Sequence, residues 1–473
     1  MRDSEMSRRA MLKGIGALGA AVAASQIPGM RAVSGLDFAN GGSGSRSLLP
    51  PGSRPFPRLP EGVDTLPQIE HIIVVMMENH SFDDHFGLLG RGDGFRLDHR
   101  GQPLDANPDG QGNLLRAFHM PSTCQLHGAP GQNWNASHTA FDNGRNDGFV
   151  RASGPVAMGY WNQDDIPFYY DLGRTFPLCD RWFCSVLAQT YPNRRFLMAG
   201  TAAGIVTTTA QGLSAPPPPN GTIFDRFAAH GISWRNYFTD LPSAAIIVET
   251  LAKYPSNFAR ISQYFTDAAA GTLPSFCIVD PNFSTMSEED PQDLRLGEQF
   301  ASQVINAAMQ GPGWPRTLLI WTFDEHGGYY DHVPPPPAPA PDDIPPGIDT
   351  TTPLLPGGYD RYGFRVPSVI VSPFARRHYV SHRVHDHTSV LKLVETKWNL
   401  GAMTFRDANA DNLLDSIKVH GRPDFLDPPV LAAPALASGP DVCVPGDPGG
   451  PIPPPDAVIP PGDDRHLRVG SAA

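Results

Sequence analysis

The chain is poor in three things, and each shortage excludes a class of protein. It carries only 5 cysteines in 473 residues, at 124, 179, 184, 277 and 443, and no two pairs of them have finger spacing. A thiolate-held structural zinc is therefore excluded. An odd count leaves at least one thiol unpaired in a monomer, and Cys179 and Cys184 stand close enough to form a bridge or simply to pack as two thiols. Positive charge is also scarce, with 36 Lys+Arg against 48 Asp+Glu and a net charge of −12. That balance does not favour a polyanion, so no nucleic-acid partner is expected. Long apolar runs are missing too. The stretch 14–24 is short and built of Gly and Ala, too little to cross a bilayer. No amphipathic helix announces a surface anchor, and no stable membrane span is expected.

Proline and glycine are plentiful, at 51 and 47 residues, and they are concentrated. They mark a linker within 28–63 and a tail over 426–473, leaving 64–425 as the expected catalytic domain. Ahead of the linker, Ser7-Arg8-Arg9-Ala10-Met11-Leu12-Lys13 precedes the mild apolar run. Residues 1–27 thus read as an export signal of twin-arginine type. The implied partner is the twin-arginine export machinery, and the implied place is periplasmic or extracellular.

Between linker and tail, short β-branched runs alternate with helical patterns, as in an α/β core. Three apolar runs stand out: His71–Met77, Thr317–Phe323 and Val366–Val371. Continuous runs of this kind suit parallel strands covered on both faces, and ligands bind beyond the carboxyl ends of such strands. Two of the runs end directly in polar pairs, Glu78-Asn79 and Asp324-Glu325. Each pair alone reads as a helix cap or a salt-bridge partner. Delivered together to one sheet edge, they offer an oxygen-rich seat for a hard divalent cation such as Ca²⁺, Mg²⁺ or Mn²⁺, with Zn²⁺ admitted if an imidazole such as His326 joins. Burying that much carboxylate is costly unless a cation pairs with it.

The segment Thr190-Tyr191-Pro192-Asn193-Arg194-Arg195-Phe196 reads as a helix start, since proline is tolerated in the first turn. The Thr190 hydroxyl there is either an ordinary cap or a nucleophile beside an anion-holding helix end.

Four motifs together, ENHSFDDHFG (Glu78 to Gly87), TYPNRRF (Thr190 to Phe196), DEHGGYYDHVPPP (Asp324 to Pro336) and HDHTSVLKLVE (His385 to Glu395), resemble a bacterial phosphoesterase family. That family holds phospholipases C and an acid phosphatase branch, within the alkaline-phosphatase-like superfamily. The resemblance implies a three-layer α/β core with a mostly parallel central sheet, flanked by Pro-rich loops and tail. It implies one divalent ion on Glu78, Asn79, Asp324 and Glu325, with Ca, Mn, Mg or Zn all compatible. It also implies Thr190 as nucleophile, passing through a covalent phosphothreonine, and His326 and His387 near the phosphate. A wider phosphate-facing set is His127, His138, Asn193, Asp290 and His332. Two positions depart from the family pattern: Gln132 stands where many relatives carry histidine, and Asp290 occupies a histidine position upstream of the second acid pair. The expected activity is an exported phospholipase C-like hydrolase of phosphate esters. The alternatives are a broad-specificity acid phosphatase, or an exported metal-binding protein whose site has decayed.

Overall fold

The computed structural model describes residues 47–124, 130–437, 449–464 and 466–470. The export signal, Cys443 and His127 lie outside them.

Eight strands form the central sheet: β1 (His71–Met77), β2 (Leu178–Cys179), β3 (Trp234–Phe238), β4 (Phe258–Arg260), β5 (Phe276–Asp280), β6 (Thr317–Phe323), β7 (Ser368–Val371) and β8 (Val380–Ser381). Their order across the sheet is β8-β2-β7-β6-β1-β5-β3-β4. β1 runs parallel to both neighbours, pairing Met77 with Phe323 of β6 and Val75 with Val279 of β5. Every residue of β1, β5 and β6 is buried. Since successive side chains point to opposite faces, both faces of the sheet are covered, which makes the core three-layered.

The third apolar run behaves differently from expectation. Only Ser368–Val371 is strand, and it pairs antiparallel to β6. Its start, not its end, therefore lies at the edge where β1 and β6 finish. An apolar run specifies burial but not direction, and here the direction brings Arg365 to that edge.

The helices that matter for the site are α1 (Phe82–Phe86), α2 (Trp134–Phe141), α3 (Thr190–Ala199), α4 (Leu294–Gln310) and α5 (His387–Trp398). Ser81 caps α1 by accepting from the Asp84 N–H, so Asn79 is not a helix cap. In α5 the apolar residues Val390, Leu391, Val394 and Trp398 are all buried.

The flanks are bound to the core. The Gly52 N–H donates to the Ala402 carbonyl and the Ala402 N–H to the Ser53 carbonyl, and Lys397 Nζ holds Asp64 at 2.8 Å. At the far end, Val458–Ile459 and Arg468–Val469 add two short strands to the pair Asp105–Pro108 and Leu114–Arg116, making a four-stranded sheet. Part of the tail is thus structural: backbone groups that a free extended segment would leave to water are paired in a ladder. Cys124 is disulfide-bonded, whereas Cys179, Cys184 and Cys277 are free and buried. Cys179 and Cys184 therefore form no bridge with each other.

Candidate active site

Because β1 and β6 are adjacent and in register, the residues following Met77 and Phe323 emerge side by side. The Asn79 N–H donates to Asp324 Oδ1 at 3.2 Å, and the Glu325 N–H donates to the same oxygen at 2.8 Å. Asn79 reaches this position through a left-handed backbone, φ 71°, which asparagine tolerates better than most residues. The turn after Glu325 then folds back over it. At Gly327 a Cβ would lie 1.8 Å from the Asn79 carbonyl oxygen, and at Gly328 it would lie 2.7 Å from the Gly131 carbonyl. The glycine pair is there because backbone passes where a side chain would stand.

All four strand-end residues are buried. Among the described residues, Asn79 Oδ1 and Glu325 Oε1 have no hydrogen-bond partner. Burial pushes the Glu325 carboxyl well up, and Asp324, Glu78 and Asp290 nearby push the same way. Two open oxygens in a buried set rich in carboxylate are the donor chemistry that a hard divalent cation takes. The residues fit such an ion.

One cation of the protein's own enters this corner. Arg194, on α3 one turn beyond Thr190, donates from Nε to Asp324 Oδ2 at 2.9 Å. Its Nη2 donates to the carbonyls of Met76 and Met77 at 3.2 and 3.0 Å, where β1 ends. Glu78 and Asp280 stand 4.0 and 3.9 Å away. Burial alone would lower the Arg194 pKa, but Asp324, Glu78 and Asp280 outweigh it and raise it. Thr190 is the first residue of the helix that Arg194 anchors.

His326 and His387 occupy different situations. His326 Nδ1 is 3.2 Å from Glu325 Oε2, while its Nε2 has no partner among the described residues. Burial against Phe149 and Phe364 lowers its pKa to about 3, so the ring is neutral. His387, first residue of α5, donates from Nε2 to the Asp324 carbonyl at 2.7 Å and accepts at Nδ1 from the Trp182 indole at 3.4 Å. Both of its nitrogens are engaged, behind the Asp324 corner.

The wider phosphate-facing set separates. Asn193 spends its amide on the turn before α3, donating to Ala188 O at 2.8 Å and accepting from Val186 N–H at 3.0 Å. His332 lies in a buried ion cluster: its Nδ1 is 2.7 Å from Asp83 Oδ2, and Arg365 binds Asp83 and Asp331 at 3.0 and 2.9 Å. His138 donates to the Trp134 carbonyl within α2 and stacks on the Trp134 ring; among the described residues no hydrogen bond or ion pair joins it to the strand-end residues. Asp290 remains close, buried, with the Tyr329 hydroxyl at 3.1 Å and its carboxyl pushed well up by burial. Gln132, in the segment that packs on Gly328, leaves Oε1 without a partner among the described residues.

Three features were not anticipated from sequence. Arg194 was legible as the residue four beyond Thr190, on the same helical face. Asp280 was legible as a third acid closing a buried strand. Behind Asn79, His80 and His85 both bind Asp84 through Nδ1, at 2.7 and 2.9 Å, and His85 Nε2 lies 3.1 Å from Glu288. No spacing rule joins Glu288 to that set.

A model of the Phosphoesterase family matches residues 69–401. The chain belongs to that family. Phospholipase C A of Mycobacterium tuberculosis is 30% identical over 387 residues, covering 71% of this chain and 74% of that protein. Non-hemolytic phospholipase C of Pseudomonas aeruginosa is also 30% identical over 387 residues, but covers 71% of this chain and only 54% of itself. Non-specific phospholipase C1 of Arabidopsis thaliana is 27% identical over 394 residues, covering 75% and 72%. Among solved structures, a Vibrio parahaemolyticus protein of the alkaline phosphatase superfamily overlays with TM-score 0.33 at 10% identity, covering 69% of this chain and 76% of its own. That overlay is too loose to bear on the site. Among the described residues, no helix is long and apolar enough to cross a membrane.

Proposed function

We propose that this phosphoesterase is an exported, metal-dependent, phospholipase C-like hydrolase working through a phosphothreonine at Thr190. The observation that carries the reading is Arg194. It ties the helix that begins with Thr190 to Asp324 at 2.9 Å and to the end of β1. Nucleophile helix and acid pairs are thereby held as one unit.

Glu78, Asn79, Asp324 and Glu325 would hold the divalent ion, which supplies Lewis acidity to the phosphate and to the hydroxyl beside it. The Thr190 Oγ1 attacks phosphorus, forming a new P–O bond as the bond to the leaving alcohol breaks. His326 carries the proton: with Nδ1–H directed to Glu325, its open Nε2 takes the threonine proton and returns it to the departing alcohol. Water then cleaves the phosphothreonine, and inorganic phosphate or a phosphomonoester leaves. His387 acts as a positioning residue, its N–H fixing the Asp324 carbonyl. Asp290, kept neutral by burial, is placed to donate a hydrogen bond where many relatives carry an imidazole. Phospholipid is the favoured substrate because the relatives in two bacteria and a plant bear phospholipase C names.

The test is a pair of measurements on Thr190→Ala and wild type. Wild type quenched during turnover should yield a phosphorylated Thr190 peptide by mass spectrometry; Thr190→Ala should lose nearly all turnover and still bind metal. Phosphatidylcholine, phosphorylcholine esters and aryl phosphates assayed side by side separate the phospholipase from the broad acid phosphatase. Metal binding without turnover on any of them would establish the decayed-site alternative instead.

A further inference from the structure

At the edge strand β8, three residues that take no part in the chemistry above converge: His385, Asp411 and Asp415. One ligand atom from each lies within 4.8 Å of the other two. The hydrogen bonds around them determine where the protons are. The Ser381 hydroxyl donates to Asp415 Oδ2, so its oxygen accepts from His385 Nε2–H at 3.0 Å. Tyr379 also donates to Asp415 Oδ2, at 3.0 Å, and Arg383 takes Asp411 Oδ2 at 2.9 Å. The two outer oxygens are thus spoken for.

What remains is acceptor: Asp411 Oδ1, which also takes the Leu413 N–H at 3.1 Å, His385 Nδ1, and Asp415 Oδ1, 3.8 Å from Nε2 of the same ring. His385, whose side chain is fully buried, presents Nδ1 as a bare lone pair, and Asp415 Oδ1 is likewise buried; among the described residues neither has a hydrogen-bond partner. Asp411 Oδ1 stands 3.6 Å from His385 Nδ1. That separation is too long for a hydrogen bond. It is close to the roughly 3.4 Å between two ligands that share one tetrahedral ion at about 2.0–2.1 Å each.

We propose that His385 Nδ1, Asp411 and Asp415 form a second cation site, selective for a borderline divalent ion of the zinc type, with water completing the coordination. One imidazole and two carboxylates are ordinary zinc ligands. The Ser381 hydroxyl holds the imidazole tautomer that leaves Nδ1 free to coordinate, the usual task of an outer partner. The site closes the loop 381–386 onto the loop 411–415. Asp386 caps α5, and His387 follows it. The ion would therefore act as a clasp on the turn that presents His387, with Trp182 between the two histidines, 6.0 and 6.5 Å from their rings.

The experiment uses the full chain, stripped with chelator and dialysed against zinc chloride alone, with bound zinc counted by elemental mass spectrometry. Wild type, Asp411→Asn and Asp411→Asn/Asp415→Asn are compared; all three retain the strand-end oxygens, so any metal held there cancels. The proposal expects wild type to hold one zinc equivalent more than the double variant, and the single variant to bind that extra zinc at least about tenfold more weakly. It also expects zinc to raise the wild-type melting temperature more than that of the double variant. Asp411 is partly exposed, so the single variant keeps the comparison valid if the double one does not fold. Equal zinc counts and equal affinities in wild type and Asp411→Asn would overturn the proposal.

Discussion

Arg194 Nε lies 2.9 Å from Asp324 Oδ2, a buried ion pair between the helix that starts at Thr190 and the acid that follows β6. Removing one member of such a pair leaves the other charge buried alone, at about 3–5 kcal/mol. Arg194→Ala is expected to lower the urea midpoint by a corresponding amount and to cut kcat/KM at least about a hundredfold. Arg194→Lys keeps the charge but not the fork that also reaches the Met76 and Met77 carbonyls, so it should fall between. Denaturation curves and steady-state kinetics on the same preparations check both, and wild-type kcat/KM in Arg194→Ala would remove the link between helix and acid pair.

Gly327 tests the close approach of two backbones. Gly327→Ala would set a Cβ 1.8 Å from the Asn79 carbonyl, whereas at Gly110, with a similar positive φ of 76°, a Cβ meets nothing within 4 Å. The left-handed conformation alone costs about 1–2 kcal/mol. Gly110→Ala should lose about that much, and Gly327→Ala distinctly more, together with activity. Thermal unfolding of the two variants separates steric crowding from backbone strain.

His332 makes stability fall in alkali. Burial would lower its pKa, but Asp83 and Asp93 dominate and push it up to about 9. A raised folded pKa contributes stability that is full below the ordinary histidine value near 6.5 and is lost as pH rises through about 9. The effect is on the order of 3 kcal/mol. Unfolding free energies from pH 6 to 10 (about that span, set by the folded value) should decline in wild type and be flatter in His332→Asn. A flat wild-type profile would refute the assignment.

The buried strand-end carboxylates make cation removal measurable. Chelation is expected to abolish turnover and to lower the melting temperature, because Glu78, Asp324 and Glu325 then face one another with Arg194 as the cation among them. Hard divalent cations should restore both, with stoichiometry checked by elemental analysis. Full activity in protein shown to be metal-free would end the metal-dependent reading.

Much of this was legible in the chain. The limits of β1 and β6 coincide with the apolar runs that define them, because every residue in those runs is buried and the first acidic residue ends the strand. The helix start at Thr190 followed from proline in its first turn. Asn193 and His332 were harder. Their side chains are polar and buried, as binding residues would be, but their partners are a turn five to seven residues back and an ion cluster with Arg365. Residue type alone does not distinguish a group that waits for ligand from one already satisfied by its own protein.

Local pattern was enough for the strands, their polar ends and the hydroxyl at a helix start, since period, burial and capping are properties of a few neighbouring residues. Strand direction, the engagement of both His387 nitrogens, the Arg194 anchor and the convergence of His385 with Asp411 and Asp415 came from chain packing. Each depends on contacts between residues far apart in sequence, 63 apart for His387 and Asp324 and 130 for Arg194 and Asp324. The free energy of those contacts exists only once the sheet has brought the segments together.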